Sequence, residues 1–169
     1  MLTKYDLDEE INKFMDDSSL IKEGDPTFVL IMGGVGAGKT TLRKDKFPKG
    51  YVVIDAGQLF TNLGGTENHQ FGVDFEEPME LIGGVLVSQA IKERRNIVTE
   101  IIGASVEEAK SIIDAMKSAG YRISLQHVKC DVTEAYNRHL NAVNTDPNYI
   151  SSYYSQPYHR KWILEAVKK

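Results

Sequence analysis

Cysteine is nearly absent from this 169-residue chain, in which Cys130 stands alone. One thiol can form no intrachain disulfide and supplies neither a Cys-based zinc site nor a redox pair, so a reducing cytoplasm is the expected compartment. Long apolar runs are missing as well. The longest, Phe28 to Met32, is far too short to span a bilayer, and the acidic opening from Met1 to Glu10 reads as neither an export signal nor a membrane anchor. Positive charge is in deficit: 20 Lys and Arg against 24 Asp and Glu leave a formal net charge of −4. That balance offers no bulk attraction to nucleic acid or anionic lipid, and it favours a small-molecule or protein partner. No repeat, low-complexity tract or interdomain linker divides the sequence, and its length suits a single domain over residues 1–169.

What is present is an alternation of short β-rich runs with helical periodicity. Leu7, Ile11, Phe14 and Met15 predict a helix over roughly Asp6 to Leu20, within an N-terminal extension covering 1–25. The run Thr27 to Met32 reads as a buried strand, Lys39 to Lys46 as a helix, and Tyr51 to Asp55 as a second strand. From Ala56 to Phe75 the glycines and polar residues predict an irregular excursion anchored by Leu59, Phe60, Phe71 and Phe75. Further on, Met79 to Ile91 reads as a helix, Asn96 to Glu100 as a strand, Ser105 to Ala119 as a helix, and Tyr121 to Lys129 as a fourth strand. Ser105 and Glu108 have the spacing of a capping box. Asp131 to Leu140 looks helical, Asn141 to Tyr158 is a tyrosine-rich lid segment, and a last helix runs from about His159 to Val167. Strands alternating with helices imply an α/β fold, a three-layer sandwich with a mainly parallel sheet of four or five strands and helices on both faces. In such sheets ligands sit beyond the carboxyl ends of the strands.

Gly33-Gly34-Val35-Gly36-Ala37-Gly38-Lys39-Thr40 fits the pattern G-x-x-x-x-G-K-[ST], and it lies between a predicted buried strand and a helix start. Glycines let the backbone curl so that N–H groups face phosphate oxygens, and the helix adds its positive end. The expected fold is therefore a P-loop NTPase three-layer sandwich, and the expected ligand is ATP with Mg²⁺. Lys39 would reach the β- and γ-phosphates, the Thr40 hydroxyl would ligate the metal, and Thr41 would extend the binding segment.

The class of NTPase follows from what accompanies the loop. Asp55-Ala56-Gly57-Gln58 is one residue short of a GTPase switch, no Asn-Lys-x-Asp reads guanine, and no Leu-Ser-Gly-Gly-Gln transporter signature occurs. A small phosphotransferase remains, which needs a base for the acceptor hydroxyl, an acid near metal or acceptor, and positive charge on the moving phosphoryl. Asp55 ends the second strand and is the expected base; its alternative role is to cap the segment that follows. Glu100 ends the third strand, placed to hold acceptor, metal or water, or to pair with Lys39 or another base. Arg138 could lie across the phosphates from the helix after the fourth strand, and Arg160 and Lys161 are a second source of charge. His69 and His139 lack metal-ligand spacing with acidic neighbours and read as polar surface residues. Tyr149, Tyr153, Tyr154 and Tyr158 could stack on a base or simply pack.

With these residues in hand, the chain resembles the zeta-toxin family of P-loop kinases, within a broader group that includes polynucleotide kinase and chloramphenicol phosphotransferase. The landmarks are Gly33 to Thr40, Val-Val-Ile-Asp ending in Asp55, His69-Gln70-Phe71, Ile97-Val98-Thr99-Glu100, and Arg138. The resemblance implies phosphate binding by Lys39, a base role for Asp55, and an acceptor-holding role for Glu100. It further implies a UDP-N-acetylamino sugar as acceptor and an antitoxin as partner. Two departures stand out: Ile101-Ile102-Gly103 follows Glu100 where the family typically has Gly-Thr, and no arginine falls between Arg138 and Arg160. A polynucleotide or nucleoside kinase, and a nucleotide-binding regulatory module with little catalysis, are the alternative readings.

Overall fold

A computed structural model describes residues 6–168; the first five residues of the expected N-terminal extension, and Lys169, lie outside them. Four strands form one sheet: β1 (Thr27–Met32), β2 (Val52–Ile54), β3 (Ile97–Ile101) and β4 (Arg122–His127), in the order β2-β3-β1-β4 and parallel throughout. The helices are α1 (Leu7–Asn12), α2 (Lys39–Lys46), α3 (Ala56–Asn62), α4 (Glu76–Lys92), α5 (Val106–Ser118), α6 (Val132–Thr145) and α7 (Ser152–Lys168).

Strand alternation divides the apolar residues of β1 between two faces. Phe28 and Leu30 point into the main core, with Val52, Ile54 and Ile97, beneath α3, α4, α5 and α7. Val29 and Ile31 point the other way and, with Val98, meet Leu42 and Phe47 of the α2 region. Each such large apolar side chain taken fully out of water contributes about 1.5–3 kcal/mol before entropy is set against it. β4 is an edge strand with Arg122, Leu125 and His127 exposed, while central β1 is buried at every position from Phe28 to Ile31.

The expected elements reappear with three corrections. The N-terminal helix ends at Asn12 rather than near Leu20. Asp16 Oδ1 accepts from the Ser18 N–H at 2.9 Å, and this local bond draws the chain into a short 3₁₀ turn over Asp17–Ser19. The start of the supposed irregular excursion is helix α3, because Asp55 caps it through the Gln58 N–H at 3.0 Å while Ala56, Leu59 and Phe60 bury one face. The tyrosine-rich segment is mostly helical too: α6 runs on to Thr145 and α7 begins at Ser152, leaving only 146–151 irregular. Burial of Ser155, Gln156 and His159, with Tyr158 packed on Phe71 and Trp162 at ring separations of 5.5 and 5.8 Å, outweighs the polar look of that stretch. At the start of α5, Ser105 Oγ accepts from the Glu108 N–H at 3.1 Å, as its spacing predicted, while the Glu108 carboxylate accepts from Gln156 on α7.

Trp162, the only tryptophan, is fully buried in the core and lies against Gly83 of α4, where an added Cβ would collide with its indole ring. Next to it, Gly84 has open space around its Cα. Gly83→Ala is therefore expected to destabilise the fold by about 1–3 kcal/mol through overpacking. Gly84→Ala should instead be neutral or stabilising by up to about 1 kcal/mol through helix propensity. Urea unfolding followed by Trp162 fluorescence measures both.

Candidate active site

The strand register assembles the site. β1 and β3 pair as Ile31↔Glu100 and Met32↔Ile101, so the loop leaving β1 starts beside Glu100; β2 and β3 pair as Ile54↔Thr99, so Asp55 follows at the level of Glu100. The Thr99 hydroxyl donates to the Ile54 carbonyl at 2.9 Å and ties the two strand ends together. Gly33 is buried and its N–H donates to the Ile101 carbonyl, extending the sheet by one residue before the chain turns.

Lys39 opens α2 and is 4% exposed. Its Nζ donates to the carbonyls of Gly33 (2.6 Å) and Gly34 (2.8 Å) and to Ser152 Oγ of α7 (3.2 Å). Burial pushes its pKa down to about 8, partly opposed by the negative charge of Glu100. Thr40 Oγ1 donates to the Glu100 carboxylate at 2.9 Å. One turn further, Arg43 is buried and bridges both strand-end acids: Nε donates to Glu100 Oε2 at 2.7 Å, and one terminal nitrogen to Asp55 Oδ2 at 3.3 Å. Asp55 thus realises its alternative, capping role and pairs with arginine at the same time. Glu100 meets a base, as expected, but that base is Arg43.

Behind the acids stands His159, which is 3% exposed. Its Nε2 lies 2.9 Å from the Ala56 backbone nitrogen and its Nδ1 2.9 Å from the Glu100 carbonyl. A backbone N–H can only donate and a carbonyl only accept, so the ring is neutral with its proton on Nδ1. Burial pushes its pKa below the ordinary histidine value, against the opposing pull of Asp55 and Glu100. This ring therefore clasps α7 to the ends of both β2 and β3.

A cleft of about 880 Å³ opens over these groups. Gly36, Ala37, Gly38, Lys39, Thr40 and Thr41 form one wall, Asp55 and Glu100 lie in its floor, and segment 146–152 contributes the opposite wall. Gly34 and Val35 turn instead to a separate, mainly apolar depression of about 910 Å³, which Ala37 shares and which Val128, Tyr136 and Tyr153 also line. Arg138 reaches the rim beside Gly38, pairs with Glu134 one turn earlier, and has its side chain about half exposed (52%). Arg160 does not fold back to the loop; its Nε donates to Ser111 Oγ of α5 at 3.3 Å, and Lys161 pairs with Glu80. His139 bonds the Tyr149 hydroxyl at 2.9 Å and joins α6 to the 146–151 segment, while His69 packs against Phe60 and Phe75. Among the described residues no group of three or more His, Cys, Asp or Glu is gathered to hold a metal by itself.

Arg43, Ser152 and His159 escaped the sequence reading. Arg43 carried a usable signal, since it falls three and four residues after Thr40 and Lys39 and so shares their helix face. Ser152 and His159 carried none, because Ser152 meets Lys39 from 113 positions away and His159 meets Ala56 and Glu100 from 103 and 59 positions away.

An all-parallel sheet flanked by helices, with a glycine-rich loop joining its central strand to the next helix, defines a P-loop NTPase-like protein. More particularly, the model of the zeta toxin family matches residues 11–161, and the chain belongs to that family. No curated protein matches the sequence. Among solved structures, a chain of the Pnkp1/Rnl/Hen1 RNA repair complex is similar with a TM-score of 0.60 and 15% identity, over 87% of this chain and 45% of that one. A chain of the PezAT chromosomal toxin–antitoxin system of Streptococcus pneumoniae is similar with a TM-score of 0.58 and 21% identity, over 85% of this chain and 64% of that one. The likeness at these identities is one of fold, and the chain spans less than two thirds of either relative's length. No helix among the described residues is long and apolar enough to cross a membrane.

Arg43 is the only cation bonded to both strand-end acids among the described residues. Arg43→Met, which keeps most of the apolar stem, is expected to lower stability by about 1–3 kcal/mol by leaving two partly buried carboxylates without their cation. Adding Glu100→Gln should recover part of that loss. Urea denaturation of the two single variants and the double variant reads the coupling.

Proposed function

We propose that the protein transfers the γ-phosphoryl group of ATP to a hydroxyl of a small molecule. The observation that carries this reading is the convergence, in one cleft, of the loop residues Gly36 to Thr41 with the carboxylates of Asp55 and Glu100. Triphosphate oxygens would replace the Gly33 and Gly34 carbonyls and Ser152 as partners of Lys39 Nζ. Arg138 would add charge from the rim, and the adenine would lie in the apolar depression beyond Val35. Mg²⁺ suits the hard oxygen donors here: the Thr40 hydroxyl would hold it together with phosphate oxygens, and the ion would supply charge neutralisation on the triphosphate. The acceptor O–H would give its proton to Asp55 Oδ2 as the oxygen bonds to the γ-phosphorus, the bond from that phosphorus to the β-bridging oxygen breaks and ADP departs, while Glu100 orients the acceptor. Family resemblance points to a UDP-N-acetylamino sugar as acceptor. It also points to an antitoxin partner, in keeping with the toxin–antitoxin system among the structural relatives.

Two measurements test the reading. Asp55→Asn should abolish label transfer from γ-labelled ATP while leaving ATP affinity within about tenfold, since a base acts on the chemical step. Equal loss of binding would identify Asp55 as a structural or metal-holding group instead. The second is a pH dependence. With a free-protein pKa of about 8, Lys39 is charged below that pH and neutral above it, whereas bound phosphate favours the charged form. ATP binding should therefore take up close to no proton near pH 6.5 and approach one near pH 9, with affinity falling by up to about tenfold per pH unit above 8. Calorimetry in buffers of different ionisation enthalpy measures the uptake, and Lys39→Ala should remove it.

A further inference from the structure

The cleft continues past Asp55 into a smaller chamber of about 270 Å³. The two share Thr61, Asp146, Asn148, Tyr149 and Ile150, so a molecule whose hydroxyl met the γ-phosphate beside Asp55 would have its body in that chamber. The charges along this path are one-sided. Among the described residues none of the chamber's lining side chains is Lys or Arg, whereas Glu67 and Asp146 both line it and both are exposed. The His69 ring, which also lines the chamber, uses its Nδ1 to accept the Thr66 N–H at 3.0 Å. Of the cations nearest the reacting end, Lys39 and Arg138 stand on the phosphate-loop side, where ATP would engage them, and Arg43 is committed to Asp55 and Glu100.

A nucleoside diphosphate sugar brings two negative charges that need cationic or backbone N–H partners along their length. Here they would face two carboxylates, and like charges set together weaken binding. One backbone amide beside the chamber's acidic rim, the Asn148 N–H, is taken up at 2.9 Å by Asp146 Oδ1. The floor of the chamber is aromatic, with the Phe60 and His69 rings edge to face at 6.5 Å, which suits the apolar body of a small alcohol.

We propose that the acceptor is a phosphate-free alcohol, uncharged or amine-bearing, with its amine or apolar body held between the Phe60–His69 rings and the Glu67 and Asp146 carboxylates. This inference rests on the phosphotransferase reading and departs from the sugar-nucleotide acceptor that family resemblance implies. The transfer is balanced by ATP alone: the acceptor oxygen bonds to the γ-phosphorus, the bond from that phosphorus to the β-bridging oxygen breaks, ADP leaves, and the hydroxyl proton goes to Asp55.

The test compares acceptors in three charge classes built on one sugar, with γ-labelled ATP and Mg²⁺: UDP-N-acetylglucosamine, N-acetylglucosamine and glucosamine, each class widened with related nucleotides, neutral polyols and aminocyclitols. The expected result is a kcat/KM at least about tenfold higher on the best phosphate-free acceptor than on any sugar nucleotide. The Glu67→Lys/Asp146→Lys variant, altered at two exposed positions, should raise KM for an amine-bearing acceptor by about tenfold and lower it for a sugar nucleotide. Preferential labelling of the sugar nucleotide would overturn the acceptor proposal and leave phosphotransfer standing. Labelling of no class, with ATP bound, would overturn the phosphotransfer reading and this proposal together.

Discussion

Two carboxylates end adjacent parallel strands at the same level, and a single guanidinium answers both. Without Arg43, Asp55 and Glu100 would face one another in a partly buried floor, a costly arrangement for like charges in a low-dielectric setting. Because Arg43 belongs to the helix that begins at Lys39, the same ion pairs that quiet the acids also fix where that helix starts, and therefore where the phosphate loop ends. Thr40 adds a third tie to Glu100. Loop, helix and strand ends thus form one unit in which no member can be repositioned alone.

α7 anchors that unit to the rest of the molecule. Its middle carries Trp162 and Ile163 in the core, its second turn carries His159 between the ends of β2 and β3, and its first residue meets Lys39. Hydrophobic burial along one stretch of helix therefore sets the geometry of polar groups on another. The neutral state of His159 is part of this: a ring protonated on both nitrogens could not accept the Ala56 N–H, which opens the helix that Asp55 caps.

Local rules made much of this legible. The apolar run Phe28 to Ile31, the pattern ending at Lys39-Thr40, and the β-branched runs ending at Asp55 and Glu100 each carry their information within a few residues, and the sheet and the cleft at its carboxyl edge follow from them. Where the sequence reading failed, distant partners decide the outcome. Ala56 to Phe75 looks irregular because its helix start depends on a side-chain cap from Asp55, and Asn141 to Tyr158 looks like an open lid because its polar side chains find partners at Glu108 on α5, at Ile102 just past β3 and at Lys39. Arg160 shows the same limit: its position after the tyrosines suggested an active-site charge, yet helix phase turns it toward Ser111.

Within the phosphate-loop pattern, position 36 is one of the unspecified letters, so the motif alone would accept almost any residue there. In this molecule it would not. Gly36 has φ +76°, and a Cβ at that point would run into the carbonyl oxygen of Ala135, where α6 crosses the loop. The residue is thereby bound to a helix about a hundred positions away rather than to the phosphate pattern. A loop of equally good sequence transplanted from another nucleotide-binding protein, with a serine or proline at this point, would lift α6 and the exposed face it carries. Any side chain at position 36 therefore requires a different seat for α6.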